Sequence, residues 1–252
     1  MGNNSNLVFI IGFPRSGTTW MQNELSKIEG TFSPQNETFF LSRYFNRLFN
    51  AWKLDNEDIS VNGICKIINE VEFLEWMRDS CLNLFQKIGW NGRDIFIEKT
   101  PYNIMFPRQI YQLFPEASVI LILRDPVEVY KSLLRISKLD WGGWAKKYME
   151  IKDYCNQWNE RFRNIQQFRE LFGEKFYVVN YNTLKQNPDE IPQFSKEIFG
   201  ENCTVKKSSG HGGTNLLSQV DFQAPIEIEL DADDEQIIKE RCYEIYMRTL
   251  NL

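Results

Sequence analysis

Long apolar runs are missing from this chain: the longest, Leu7–Ile11 and Val119–Leu123, have five residues each. A membrane-spanning helix needs roughly 20, so no integral membrane segment is expected. No basic region precedes the first strand, which begins after Asn6, and no signal peptide is expected. The opening MGNNSN puts Asn6 where a myristoylation signal needs Ser or Thr. Histidine occurs once, as His211, and the five cysteines (Cys65, Cys81, Cys155, Cys203, Cys242) are odd in number, scattered and without a CxxC pair. Neither a zinc site nor a disulfide framework is expected, and a reducing cytoplasm is the simplest setting. Positive charge is not in excess: 29 Lys and Arg stand against 34 Asp and Glu, for a net charge of −5. That balance disfavours nucleic acid, whose partners carry a basic face, and equally a long polyanionic polysaccharide. A local basic pocket for one small anion stays compatible with it. No repeat, low-complexity run or Pro/Gly-rich linker divides the chain.

What is present is enough for a full core. The 252 residues are 42% hydrophobic, with 19 Phe and 7 Trp, which implies a large core and aromatic-lined clefts. Leu7–Ile11 and Ser118–Leu123 read as buried strands, Asp94–Glu98 and Lys175–Val179 as shorter ones. Helices are expected over Glu70–Leu84, Tyr102–Leu113, Pro126 to about Ile136, and Asp234–Leu250. Trp144, Tyr148, Ile151, Cys155, Trp158, Phe162 and Ile165 follow one another three or four apart and predict one long amphipathic helix. Strands alternating with helices give an α/β class: a single doubly wound domain over residues 1–252, with a central parallel sheet.

The stretch LVFIIGFPRSGTTWMQNEL, Leu7–Leu25, carries the chemistry. A buried strand is broken at Gly12, and Gly17-Thr18-Thr19 opens a helix carrying Trp20, Met21 and Leu25. Loop N–H groups and a helix N-terminus then converge on one anion, a phosphate cradle. Gly12 and Gly17 are spaced as in the nucleotide P-loop, GxxxxGK[ST], but Thr18 stands where the lysine belongs and Arg15 supplies a cation inside the loop. ATP hydrolysis is therefore not the expected use. A plain glycine turn between strand and helix is the bland alternative. A second strand end, Leu123-Arg124-Asp125-Pro126 with Ser132 eight residues after Arg124, sets a cation at the carboxyl edge of the sheet. Read alone, it equally describes a helix start capped by Asp125.

PRSGTT after an apolar strand resembles the 5′-phosphosulfate loop of the sulfotransferases, which use 3′-phosphoadenosine 5′-phosphosulfate (PAPS). The strand–RDP–helix unit with its serine is similar to the same family's 3′-phosphate site. The resemblance implies a P-loop-like fold and nucleotide contacts from Pro14, Arg15, Ser16, Gly17, Thr18, Thr19 and Trp20, with Arg124 and Ser132 on the 3′-phosphate. Asn36-Glu37-Thr38-Phe39-Phe40 resembles a segment of the heparan-type and tyrosylprotein sulfotransferases whose glutamate is the base. Glu98-Lys99-Thr100-Pro101 is similar to the heparan-type EKTP; the cytosolic enzymes of phenols and steroids carry a histidine base where Pro101 stands here. The resemblance thus implies Glu37 as base, with Arg15 and Lys99 stabilising the moving charge and no metal. Otherwise Glu37 is an ordinary exposed carboxylate, and Glu98–Lys99 a solvated pair. Val179-Asn180-Tyr181-Asn182-Thr183-Leu184 loosely matches the element whose tyrosine, here Tyr181, lies near the adenine. The 206–213 loop loosely matches a late basic loop, and a plain surface loop explains it as well; His211 is expected to be incidental.

The expected activity is transfer of a sulfonate from PAPS, leaving PAP, to a hydroxyl or amine of an acceptor. A P-loop kinase or NTPase is the rival enzyme class, and a non-catalytic nucleotide-binding module the third reading. Aromatics in 39–52 and Trp141–Trp144 suggest an apolar or carbohydrate-stacking acceptor site. The sequence does not choose among a small hydroxylated metabolite, a glycan and a lipid.

Overall fold

A computed structural model of the chain describes residues 6–58, 60, 62–200, 204–206 and 228–252. Its centre is a five-stranded sheet in the order β2-β3-β1-β4-β5, parallel throughout. The strands are β1 (Leu7–Gly12), β2 (Thr31–Phe32), β3 (Ile95–Lys99), β4 (Ser118–Leu123) and β5 (Phe176–Asn180). Every residue of β1 is buried, as expected of a strand covered on both faces. Its side chains alternate between two cores: Leu7, Phe9 and Ile11 enter the larger one, Val8 and Ile10 the smaller one. The helices in chain order are α1 (Thr18–Leu25), α2 (Asn46–Glu57), α3 (Glu70–Lys87), α4 (Pro107–Leu113), α5 (Pro126–Ser137), α6 (Ile151–Phe162), α7 (Ile165–Phe172), α8 (Tyr181–Gln186), α9 (Ile191–Phe199) and α10 (Ala232–Leu250).

Two expected helices are broken. Tyr102–Leu113 divides into a 3-10 segment, Pro101–Met105, and α4, because Pro107 forces Phe106 out of the helical region to φ −129°, ψ 49°. The long stripe from Trp144 to Ile165 is three pieces: a 3-10 segment Gly142–Tyr148, then α6, then the start of α7. Glu150 is extended between the first two, and Asn164 leaves the helical region between the last two. The apolar spacing reports which residues face inward, and Tyr148, Cys155, Trp158, Phe162 and Ile165 are all buried. It carries no information on whether the backbone between them is continuous.

The Gly142–Tyr148 segment matters because it leans on α5 and carries aromatic and basic side chains to the edge of the sheet. Gly142 makes that approach possible: its N–H donates to the Leu139 carbonyl at 2.8 Å, and a Cβ would lie 1.7 Å from the Ile136 carbonyl oxygen. Backbone cannot yield as a side chain can. Gly142→Ala is expected to destabilise the fold by about 1–3 kcal/mol, the usual range for overpacking. A fall in the urea midpoint at unchanged slope is the expected readout, and an unchanged midpoint would contradict the packing described.

Candidate active site

β1 hands the chain to its loop at Gly12, and the loop closes when the Ser16 N–H donates to the Phe13 carbonyl at 3.0 Å. Arg15 sits at φ 74°, a left-handed conformation that costs a non-glycine residue on the order of 1–3 kcal/mol. Gly17 caps α1 at φ 105°, with no side chain accepting from the first helical N–H groups. Buried Ser16 Oγ likewise has no hydrogen-bond partner. The loop therefore turns uncapped amides and an unpaired hydroxyl to one place, which suits an anion.

The residues expected around the nucleotide do come together. Arg15 Nε donates to Ser132 Oγ at 3.1 Å, across 117 residues of sequence. Arg124 Nη1 donates to the Arg15 carbonyl at 3.3 Å, and its guanidinium lies 5.0 Å from the Tyr181 ring centroid. Arg124 Nη2 also reaches Glu128 at 3.5 Å, while buried Arg124 Nε has no partner. Trp20 meets Tyr181 edge-on at 5.5 Å. Tyr181 covers Gly17 so closely that a Cβ there would lie 2.2 Å from the ring. Asp125 is the side-chain cap of α5, accepting from Val127 N at 2.8 Å and Glu128 N at 3.2 Å, and it also accepts from Tyr243 of α10.

A cavity of about 760 Å³ adjoins the loop. It is lined by Pro14, Arg15, Thr18, Thr19, Glu37 and Lys99, together with residues such as Phe39, Trp141, Trp144 and Arg161. Arg124, Ser132, Trp20 and Tyr181 are not among the lining residues. Loop residues thus border the cavity, while the Arg124–Tyr181 group lies outside its lining. Lys99 Nζ donates to Glu37 Oε1 at 2.8 Å, with Lys99 only 5% exposed and the Glu37 side chain 29%. The solvated-pair reading of Glu98–Lys99 does not hold, because both side chains are buried.

Glu98 explains how Glu37 is held. Its Oε1 accepts from Thr38 Oγ1 at 2.7 Å and from Thr100 Oγ1 at 2.6 Å, and Oε2 accepts from Asn103 Nδ2 at 2.8 Å. Thr38 Oγ1 in turn accepts from the Phe40 N–H at 3.2 Å. The segment then turns at Phe39, φ 49°, into a π-helical stretch, Phe40–Phe45, that precedes α2. Among the described residues, Arg15 and Phe39 are the two non-glycine positions with positive φ, and both border this cavity. Burial pushes the Glu98 carboxyl above its ordinary value, against the hydrogen bonds from Thr100 and Thr38.

The Sulfotransferase family profile matches residues 7–191, well over half of the chain. The chain belongs to the sulfotransferase family. Nodulation protein NoeE of Sinorhizobium fredii is 28% identical over 140 residues, covering 54% of this chain and 32% of that protein. A protein-tyrosine sulfotransferase of Drosophila melanogaster is 24% identical over 187 residues, 73% of this chain and 36% of that protein. The chain therefore matches about a third of the length of these curated relatives. Among solved structures, the sulfotransferase from Alicyclobacillus acidocaldarius aligns with a TM-score of 0.59 at 14% identity, over 96% of this chain and 93% of that one. The sulfotransferase domain from the curacin biosynthetic pathway aligns at 0.53 and 17% identity, over 92% and 96%. These likenesses establish the fold that the sulfotransferase resemblance implied.

Several residues at this sulfotransferase-family cavity escaped the sequence reading: Arg43, Arg47, Tyr102, Lys147, Tyr148 and Arg161. Only Arg161 left a signal there, a cation standing three residues after Trp158 on the apolar stripe of α6. The late basic loop lies outside the described residues from residue 207 through His211 to 213. Lys206 is tied to the far end of α1, where its Nζ donates to the Ser26 carbonyl at 2.7 Å. Among the described residues no group of three or more His, Cys, Asp or Glu is placed to hold a metal ion. No described helix is long and apolar enough to cross a membrane.

Glu98 makes a pH dependence testable. Its folded-state pKa is raised above its unfolded one, so the folded chain binds the proton more tightly. This contribution to stability is full below the unfolded value and is lost as pH rises through the raised folded value. Glu98→Gln, which resembles the protonated form, should therefore gain on the wild type as pH rises through that window. Urea midpoints measured across pH for both proteins test this; parallel profiles would rule the raised pKa out.

Proposed function

We propose that this chain is a PAPS-dependent sulfotransferase, transferring the sulfonate to a hydroxyl or amine of an acceptor bound in the open cavity. The observation that carries the proposal is the Glu37–Lys99 pair, 2.8 Å apart, on a cavity that the loop also lines with Arg15, Thr18 and Thr19. PAPS supplies an activated sulfonate on a phosphate leaving group. The loop residues fit its 5′ end: Ser16 Oγ is buried without a partner, and the α1 amides are uncapped. Arg124 and Ser132 fit the 3′-phosphate, Arg124 through a guanidinium whose buried Nε is unpaired. Tyr181 and Trp20 offer ring faces and edges for the adenine.

Glu37 then accepts the proton of the attacking hydroxyl, whose oxygen forms the new bond to sulfur as the bond from sulfur to the 5′-phosphate oxygen breaks. Arg15, Lys99 and the loop N–H groups stabilise the negative charge that collects on the departing phosphate and on the sulfonate oxygens. Lys99 reaches Glu37 before the acceptor arrives, so the pair also holds the base in position. The roles of fixed cations here parallel those of magnesium in phosphoryl transfer.

A kinase or NTPase reading is less well supported. Thr18 replaces the loop lysine, and Asp125, the carboxylate nearest the end of β4, is committed to capping α5 and to Tyr243. Calorimetric titration separates the classes. PAP is expected to bind without magnesium and much more tightly than ATP–magnesium, and Arg124→Ala to weaken PAP by about 1.5–3 kcal/mol, the worth of a hydrogen bond to a charged group. Equal binding of ATP–magnesium would overturn the proposal, and an unchanged PAP affinity would remove Arg124 from the site.

A further inference from the structure

We infer that the acceptor carries an oxyanion near its reacting hydroxyl, and that Arg161 is the residue that selects it. This rests on the sulfotransferase reading above and names the substrate class of the same cavity. Six cations line the cavity, Arg15, Arg43, Arg47, Lys99, Lys147 and Arg161, against one carboxylate, Glu37. Lys99 is paired with that carboxylate and Arg15 belongs to the loop, which leaves four other cations on the cavity. The whole chain carries a net charge of −5, so this is a local concentration of positive charge and not the general surface.

Arg161 is the sharpest case. It is 5% exposed and makes no ion pair among the described residues. Its guanidinium lies 4.4 Å from the Phe13 ring centroid, 5.4 Å from Tyr102 and 5.5 Å from Tyr148. Nη2 donates to the Tyr148 hydroxyl at 2.8 Å, and Nη1 is buried with no partner. Cation–π contacts reduce the cost of burying the charge but do not neutralise it. A leucine or methionine at this stripe position would fill the space without that cost, so packing does not explain the charge; an anion arriving with a ligand does.

The position fits an acceptor group. Phe13 leads into the loop, and Tyr102 lies three residues beyond Lys99, so Arg161 forms the floor next to the transfer site. Arg43, Arg47 and Lys147 stand exposed at the rim. Phe39, Trp141 and Trp144 add aromatic walls to the cavity, the two tryptophans being exposed. A small hydroxylated ring bearing a carboxylate or phosphate satisfies all three features: the walls stack the ring, Glu37 meets the hydroxyl and Arg161 with the rim cations holds the anion.

The test uses three probes of one skeleton: 4-hydroxyphenylacetate, 4-hydroxyphenyl phosphate and the uncharged 4-hydroxyphenylacetamide. Each is titrated calorimetrically into the wild-type protein, with PAP and without it. At least one anion is expected to bind about tenfold or more tightly than the amide, as charge-assisted pairing requires. Which anion prefers the site distinguishes a carboxylate from a phosphate acceptor. Arg161→Gln should bring that anion to within about twofold of the amide. Because Arg161 is buried, near-UV circular dichroism checks its fold, and the exposed rim variant Lys147→Gln provides a second reading in which the preference falls partway. An amide that binds as well as both anions, or no anion binding up to ~10 mM, overturns the proposal, as does a preference that folded Arg161→Gln leaves untouched. PAP binding is read in the same titrations. A wild-type protein that binds PAP but shows no anion preference defeats this inference alone, whereas absence of PAP binding defeats the sulfotransferase reading and this inference with it.

Discussion

The parallel pairing of β1 with β3 on one side and β4 on the other is the constraint on which the site depends. It sets Ile10 beside Lys99 and Gly12 beside Ile122, so three strands end in a row at one edge of the sheet. Each then delivers a charge: β1 leads to Arg15, β3 ends on Glu98 and Lys99, and β4 is followed by Arg124 and Asp125. A shift of one residue in any pairing would turn Lys99 or Arg124 to the opposite face of the sheet. Burial on both faces is what fixes the register, since β1 has no exposed side along which to slip.

Around this edge, local rules of chain structure are broken together. Arg15 and Phe39 hold positive φ without glycine, and Ser16 Oγ, Arg124 Nε and Arg161 Nη1 are buried and unpaired. Glu98 is buried as well, but its two hydroxyl donors and one amide donor satisfy it fully enough to anchor the Glu37 segment. Departures of this kind gather where a protein binds or reacts, and the surrounding core must compensate for them. Here the compensation is the aromatic cluster of Phe13, Tyr148, Tyr154, Trp158 and Phe162 against the same edge. C-terminal α10 adds a brace: Tyr243 holds Asp125, and α10 also packs on α5 and α6.

Four of the five strands were legible in the sequence, best where they are apolar on both faces: Ser118–Leu123 has the same limits in the fold and Leu7–Ile11 differs by one residue, whereas two-residue β2, Thr31–Phe32, leaves no run to read. The loop was legible because glycine spacing and Arg15 are local signals. The convergence of Arg15, Ser132 and Arg124 came only from resemblance, since residues 117 apart leave no mark on each other's neighbourhoods. α2, α9 and the π-helical turn at Phe40–Phe45 were not legible: exposed α2 buries only Phe49 and Trp52, which makes a weak periodic signal. Arg43, Arg47 and Lys147 look like ordinary surface charges in sequence, and only folding gathers them on one cavity. The unbroken stripe from Trp144 to Ile165 misled in the opposite sense, because three short segments packed on one core keep the spacing of one helix.

The central claim is that Glu37 acts on the acceptor while the nucleotide is held elsewhere, on Arg124, Ser132 and the loop. Glu37→Gln keeps the side chain's volume and leaves every proposed nucleotide contact in place. Turnover of labelled PAPS with an acceptor found by screening, measured beside PAP affinity by calorimetry, tests this directly. The account predicts a kcat lower by about 10²–10⁴-fold, the usual worth of a positioned base, with PAP affinity nearly unchanged. A variant that turns over at the wild-type rate, or one that loses PAP binding in proportion to its activity, would contradict it.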